Sequence, residues 1–447
     1  MVQTRNLLQE LLSTIADFRP KFRSDKDNTS ITDLSKNLLG VDDETSQQRI
    51  GKLILGKYEQ LDEDEKKAFF QFLTDEMDLD SHAILSHVKD YQHHRDADSL
   101  SKLLDASEPL RQDFLRRLNQ VAGATEVLVN MRADLLRFAA QDKHLKIADL
   151  DFAHLFTSWF NRGFLTLQPI SWHTPANILA KIIKYEAVHA INDWDDLRSR
   201  LQPEDRRCFA FFHPAMPDEP LVFVEVALCK GMPNSIQTVL DERDENLIGD
   251  EIDTAAFYSI SNCQRGLSGV SFGNALIKQV VSDLAKEIPS LKHFVTLSPL
   301  PGFAKWLQDH KEHLFQNIID QIEQAAASVL EISDYSPLDK HSGVLKSLAA
   351  QYLLEAKRPD GQPVDAVARF HLRNGASVYA LHAGADISDN GIKHSYGVMV
   401  NYAYELPHVA SRHENYVRDH KLEASKQVTQ LLSGKTTSFF SQTAKTE

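Results

Sequence analysis

Phe257-Tyr-Ser-Ile-Ser261, then Asn262-Cys-Gln-Arg-Gly-Leu-Ser-Gly-Val-Ser-Phe-Gly273, then His293-Phe-Val-Thr-Leu297 and Ser298-Pro-Leu-Pro-Gly-Phe-Ala-Lys-Trp306 decide how this chain is read. The first run is short and rich in β-formers, as a strand requires. Leu276, Val280 and Leu284 then form one stripe at helical spacing. Gly266, Gly269 and Gly273 lie just before that helix or in its first turn. The reading is strand, glycine-bearing loop, helix, strand, and a tight turn into a further helix. Such a loop exposes backbone N–H groups at a helix N-terminus, where a phosphate binds. Ser298 falls at the end of the second strand, near the mouth of the same sheet.

Outward from this stretch, the N-terminal part of the chain reads as all-helical, over residues 1–155. Asp62-Glu-Asp-Glu65 precedes the apolar run Ala68–Leu73, with acids where a helix start favours them. Leu104–Phe138 has the periodicity of two packed helices broken near Gly123. His93-His94 is the nearest thing to a metal cluster there, but adjacent helical residues point apart, and a solvated face is the plainer reading. After residue 155 the pattern changes. Strands are expected at Gly163–Leu167, Arg207–Phe212, Leu221–Leu228, Val367–Leu372, Ser377–Leu381 and Tyr396–Glu405. His213–Pro220 reads as a proline-rich hairpin connection. Residues 307–358 read as a helical insertion, 412–433 as one final helix, and the Ser/Thr-rich tail as disordered. The fold class is therefore α+β, with a helical domain at 1–155 and a mixed-sheet domain at 156–447.

Composition narrows the function. The 447 residues suffice for two or three domains, with an ordinary hydrophobic fraction of 42%. A net charge of -14 argues against nucleic-acid binding. Cys208, Cys229 and Cys263 are too few and too scattered for a disulfide framework or a zinc site. No apolar run reaches transmembrane length, and neither end reads as a targeting signal. A soluble protein of the reducing cytoplasm is expected, with no membrane partner and no metal.

On the residues alone, Ser298 before Pro299 is as readily a cap for the next helix as a catalytic hydroxyl. His371, alternating with Phe370 and Leu372, is as readily a satisfied sheet histidine. Glu225 in an apolar strand is suggestive, or merely faces water. Arg265, Lys278 and Lys305 are surface residues or phosphate contacts with equal ease.

Several longer stretches reach further. Trp159-Phe160 with Gly163-Phe-Leu165, Trp172-His173, Glu186-Ala-Val-His189, Glu219-Pro-Leu-Val222, Leu297-Ser-Pro-Leu-Pro-Gly-Phe303, Phe370-His-Leu-Arg-Asn-Gly375 and Asn401-Tyr402 with Tyr404 together resemble the malonyl-CoA decarboxylase family. The similarity runs from about residue 155 to the last strand and is weaker in the helical part. It implies a catalytic domain of the GNAT acyltransferase type behind a helical domain. It implies decarboxylation of malonyl-CoA without metal or prosthetic group, in an oligomer that is typically a tetramer.

Carried over by motif, the catalytic pair is Ser298 and His371, with Tyr404 near the active site. The CoA-binding loop is Ser268, Gly269, Val270, Ser271, Phe272, Gly273 and Asn274. One departure stands out from the superfamily pattern of Gln or Arg, two residues, Gly, one residue, Gly or Ala. Ser268 replaces the long polar residue and Ser271 the first glycine. His371 is expected to act as the acid, because imidazole titrates near neutral pH. Two other readings belong to different classes: an acyl-CoA-dependent acyltransferase of the same fold, and a non-catalytic acyl-CoA sensor.

Overall fold

The computed structural model describes residues 29–241, 251–270, 273–311 and 316–432. The chain divides into two compact units, Met1–Phe152 and Ala153–Glu447. The C-terminal tail lies outside the described residues, as do Ser271 and Phe272 of the glycine-bearing loop.

Among its described residues, the first unit is helical. Aspartates cap several of its helices: Asp43, Asp62, Asp80 and Asp96 each accept a backbone N–H of the first turn. At Asp62 the bond is reciprocal, with Glu65 returning to the Asp62 N–H. Gly123, at φ 77°, separates Leu110–Asn119 from Ala124–Ala139, the break expected there. Phe69, Phe70, Phe114, Leu128 and Met131 fill the core. His93 and His94 end an exposed helix, Ser81–His94, which buries no residue.

The second unit is built on a mixed sheet. Its strands are β1 (Thr166–Ile170), β2 (Arg206–His213), β3 (Met216–Cys229), β4 (Thr254–Asn262), β5 (His293–Thr296), β6 (Ser298–Pro299), β7 (Ser377–His382) and β8 (Met399–Ala403). The order is β1-β2-β3-β4-β5-β8-β6, with β7 also paired to β8. Every pairing is antiparallel except β4 with β5, which the helix Gly273–Glu287 joins as a crossover. This α+β arrangement is the one that the family resemblance implies.

Two irregularities shape the sheet. In β4, Glu225 faces Ser259 while Val226 faces Phe257, so Tyr258 is an extra residue in a β-bulge. The parallel ladder runs from Thr254↔His293 to Phe257↔Thr296 and stops, although β4 continues to Asn262. Ser298 lies just past that parting.

Four expectations fail. Val367–Leu372 is not a strand but part of the helix Ala366–Arg373. Asp365 caps it, accepting the Ala368 N–H at 2.7 Å, and Ala368, His371 and Leu372 are its buried stripe. A two-residue alternation and a helical stripe coincide over so short a run. The proline-rich connection is mostly strand: β3 already starts at Met216, and a register shift at Phe212 accommodates Pro220. Tyr396 is not in the last strand but ends the helix Asp389–Ser395 in a left-handed conformation, φ 51°. The single C-terminal helix is two, Val409–Asp419 and Lys426–Leu432, parted at His420, also at φ 51°.

Candidate active site

Ser298 and His371, 73 residues apart, meet: Ser298 Oγ is 3.3 Å from His371 Nε2. Ser298 caps no helix; the N-cap of Phe303–Asp309 is Gly302. The Ser298 hydroxyl donates to Thr296 Oγ1 at 2.9 Å, two residues back on the same face of the chain. Thr296 Oγ1 also accepts the Tyr402 N–H, and Asn401 Nδ2 donates to the Thr296 carbonyl at 2.8 Å. On the other side of the imidazole, Nδ1 is 2.8 Å from the Tyr404 hydroxyl. Tyr402 stacks on the ring, with centroids 4.5 Å apart and planes at 25°.

This chain has one consistent proton order. The Ser298 hydrogen goes to Thr296, so the contact with Nε2 uses an Nε2–H as donor. A neutral imidazole carries one N–H, so Nδ1 accepts and Tyr404 O–H donates. The imidazole is neutral because burial pushes His371 down to about 3. Burial likewise holds the Tyr404 phenol well above its usual range. Ser298, His371 and Tyr404 are all buried. The expectation that His371 titrates near neutral pH is therefore corrected: its surroundings are too dry for the imidazolium.

One side chain ties the serine motif to the histidine motif. The Tyr352 hydroxyl, from the helical insertion, donates to Asp365 Oδ2 at 3.1 Å, the cap of the helix carrying His371. The same hydroxyl passes over Gly302, where a Cβ would stand 2.5 Å from it. Glycine follows the second proline of the serine motif because nothing larger leaves room for that phenol.

Two carboxylates of the sheet domain are held by neighbouring donors. Glu186 accepts from the Ser259 and Ser261 hydroxyls and from the Val188 and His189 N–H groups. Glu225 does not face water; it is fully buried and accepts from Arg200 Nη1 at 3.2 Å. Burial, with Glu186 nearby, pushes the Glu225 carboxyl up to about 8. Arg265, Lys278 and Lys305 are exposed. In the glycine-bearing loop Gly269 has φ 81°, a backbone that favours glycine, and Gly273 opens the following helix. Thr296, Asn401 and Tyr352 received no role from the sequence. Thr296 was accessible in principle, because positions two apart on an extended chain share a face.

A hydroxyl–imidazole–phenol chain, buried where two parallel strands part, is a constellation of the kind that enzymes use for proton transfer. The comparisons name the family. Residues 163–442 match the Malonyl-CoA decarboxylase C-terminal domain, and residues 78–160 the corresponding N-terminal domain. The chain belongs to the malonyl-CoA decarboxylase family. The crystal structure of malonyl-CoA decarboxylase from Agrobacterium vitis is 44% identical, with TM-score 0.85, over 91% of this chain and 100% of that one. The enzyme from Rhodopseudomonas palustris is 45% identical, with TM-score 0.82, over 90% and 98%. The mitochondrial malonyl-CoA decarboxylase of the goose Anser anser anser is 34% identical over 354 residues, 73% of this chain and 70% of that one. No helix among the described residues is long and apolar enough to cross a membrane.

Proposed function

We propose that this chain converts malonyl-CoA to acetyl-CoA and CO2 through a thioester enolate, without a cofactor. The observation that carries the reading is the Ser298–His371 contact at 3.3 Å, made by two motifs of a decarboxylase family. A thioester is itself an electron sink. The protein must hold the carboxylate out of the plane of the thioester carbonyl, so that the breaking bond overlaps the π system. It must meet the developing enolate oxygen with a donor, worth about 2.7–4 kcal/mol in other enzymes. It must also protonate the α-carbon, which contributes about 10²–10⁴-fold. Ser298 supplies the hydroxyl, turning its hydrogen from Thr296 to the enolate oxygen when substrate is bound. His371 supplies the proton as a neutral imidazole, a state in which buried histidines act as electrophiles elsewhere. Tyr404 fixes its tautomer.

The substrate's CoA moiety is assigned to the loop Ser268–Asn274 ahead of the helix Gly273–Glu287. The edge of β4 beyond Phe257, where β5 no longer pairs, offers backbone partners to the amide-bearing arm of the substrate. Self-association is assigned to the helical unit, with a tetramer as the expected state. Leu85 and Leu104 there are 59% and 61% exposed, on helices that bury almost nothing. The three cysteines are free, which suits the cytosol as compartment.

Incubation with malonyl-CoA alone tests the activity. Release of CO2 and acetyl-CoA without any acceptor is the expected result. An acyltransferase would need an amine, and a sensor would bind without turnover.

A further inference from the structure

We infer that His382 is a positioning residue for the reaction: it holds Asn401, and through Asn401 and Thr296 it fixes where the Ser298 hydroxyl stands. This rests on the decarboxylation reading above. His382 is the last residue of β7 and is only partly buried. Three hydrogen bonds lead from it to Ser298, by way of Asn401 and Thr296.

The reason lies in how β8 is joined to the strands beside it. It pairs with β5 at Ala403↔Val295 and with β6 at Val400↔Ser298. Between those two pairs, side chains make the bonds. The Tyr402 N–H turns to Thr296 Oγ1 at 3.2 Å, and the Thr296 carbonyl accepts Asn401 Nδ2 at 2.8 Å. A ladder of backbone groups tolerates most residues, whereas this seam depends on which side chains close it. It ends directly before Ser298, whose hydroxyl donates to the same Thr296 Oγ1 at 2.9 Å.

Asn401 is fully buried, and its amide has one good orientation. Nδ2 donates to two carbonyls, that of Thr296 and, at 3.2 Å, that of Pro233. Turned over, the amide would set its oxygen against both. Oδ1 is therefore left as an acceptor, and His382 Nε2 meets it at 2.5 Å. Burial, aided by Lys346 and opposed by the bond to Asn401, holds the His382 imidazole below its usual range. The single N–H of the neutral ring is thus committed to Asn401. Without that donor Oδ1 is a buried acceptor with no partner, which costs more than the bond itself is worth. The amide then gains by turning toward another donor. The Thr296 carbonyl loses Nδ2, and the residue that anchors Ser298 loosens.

The test uses the full chain with malonyl-CoA, reading CO2 release and thermal stability on the same proteins. Wild-type CO2 release comes first; its absence overturns both the activity and this role. With CO2 released, His382→Leu, which fills the space and donates nothing, should lower kcat about tenfold with KM unchanged. His382→Gln, whose Nε2 can take the place of the ring nitrogen, should stay within about threefold of wild type. In a Ser298→Ala background His382→Leu should have almost no further effect on kcat. If His382→Leu does not fold, His382→Thr, a strand-former too short to reach Asn401, is held to the same three expectations. A normal kcat without the donor, with or without a lower Tm, overturns the role. So does a loss that His382→Gln fails to restore, or one that is equal with and without the Ser298 hydroxyl. Each of these leaves the decarboxylase reading in place.

Discussion

Thr296 holds Ser298 from behind: its Oγ1 accepts the Ser298 hydroxyl at 2.9 Å and is itself fixed by the Tyr402 N–H. This bond commits the serine hydrogen and leaves its lone pairs toward Nε2. Thr296→Val keeps the β-branched shape and removes the acceptor, so Ser298 becomes free to donate to Nε2 and invert the order. The expected result is a kcat about tenfold lower with KM little changed, on the scale of a hydrogen bond worth about 1 kcal/mol. In a Ser298→Ala background the same change should have almost no effect, and an equal loss in both backgrounds would disprove the coupling.

His371→Asn keeps a polar side chain but cannot relay a proton. Its kcat should fall by about two to four orders of magnitude at near-constant KM. Ser298→Ala should cost about 10²–10³-fold. The double variant should lose less than the product of the two, because both residues serve one enolate. A near-normal kcat in His371→Asn would sink the mechanism.

The depressed basicity of His371 is also a statement about stability. Its value falls from 6.5 in the ordinary state to about 3 when folded, so between those values the unfolded chain binds the extra proton. The stability this group contributes is complete above pH 6.5 and drains away as the pH drops toward 3. The slope is about 1.4 kcal/mol per pH unit inside that window. Denaturant titrations at pH 7 and pH 5 should therefore show wild type losing roughly 2 kcal/mol more than His371→Asn. Equal losses would mean that the ring is protonated in the folded state.

Gly273 begins the helix where the CoA phosphates are assigned. Gly273→Val brings a branched side chain against that backbone and should raise KM at least tenfold with kcat largely kept. An unchanged KM in a folded variant would move the phosphates elsewhere.

Sedimentation of the full chain should show an oligomer, and Leu85→Glu with Leu104→Glu should shift it to smaller species. A monomer with full activity would remove the role assigned to the helical unit.

The sequence made the helical unit legible because capping aspartates and long apolar periods are local signals. Phe257–Trp306 was legible for the same reason: strand, glycines and helical stripe each announce themselves within a few residues. The helix under His371 was not. Its eight residues are too short for a period to declare itself, and its cap is bonded by Tyr352, thirteen residues back. Motif likeness located His371 and Ser298 but misjudged the protonation of the ring, since neutrality comes from burial, a tertiary property. Asn401 was hidden because its partner Thr296 is far along the chain, whereas Thr296 stands two residues from Ser298 and could have been found by the spacing of an extended strand.

Tyr352 makes the insertion part of the frame around Ser298 and His371. One phenol touches Gly302, four residues after the serine, and Asp365, six before the histidine. The separation between Ser298 and His371 is therefore held like the jaws of a caliper on a single pin. Shortening the helices between them, or grafting in those of a relative, would succeed only if glycine, tyrosine and aspartate travel as a set. Chimaeras that split the three should fold each motif and still miss the contact on which the proposed chemistry depends.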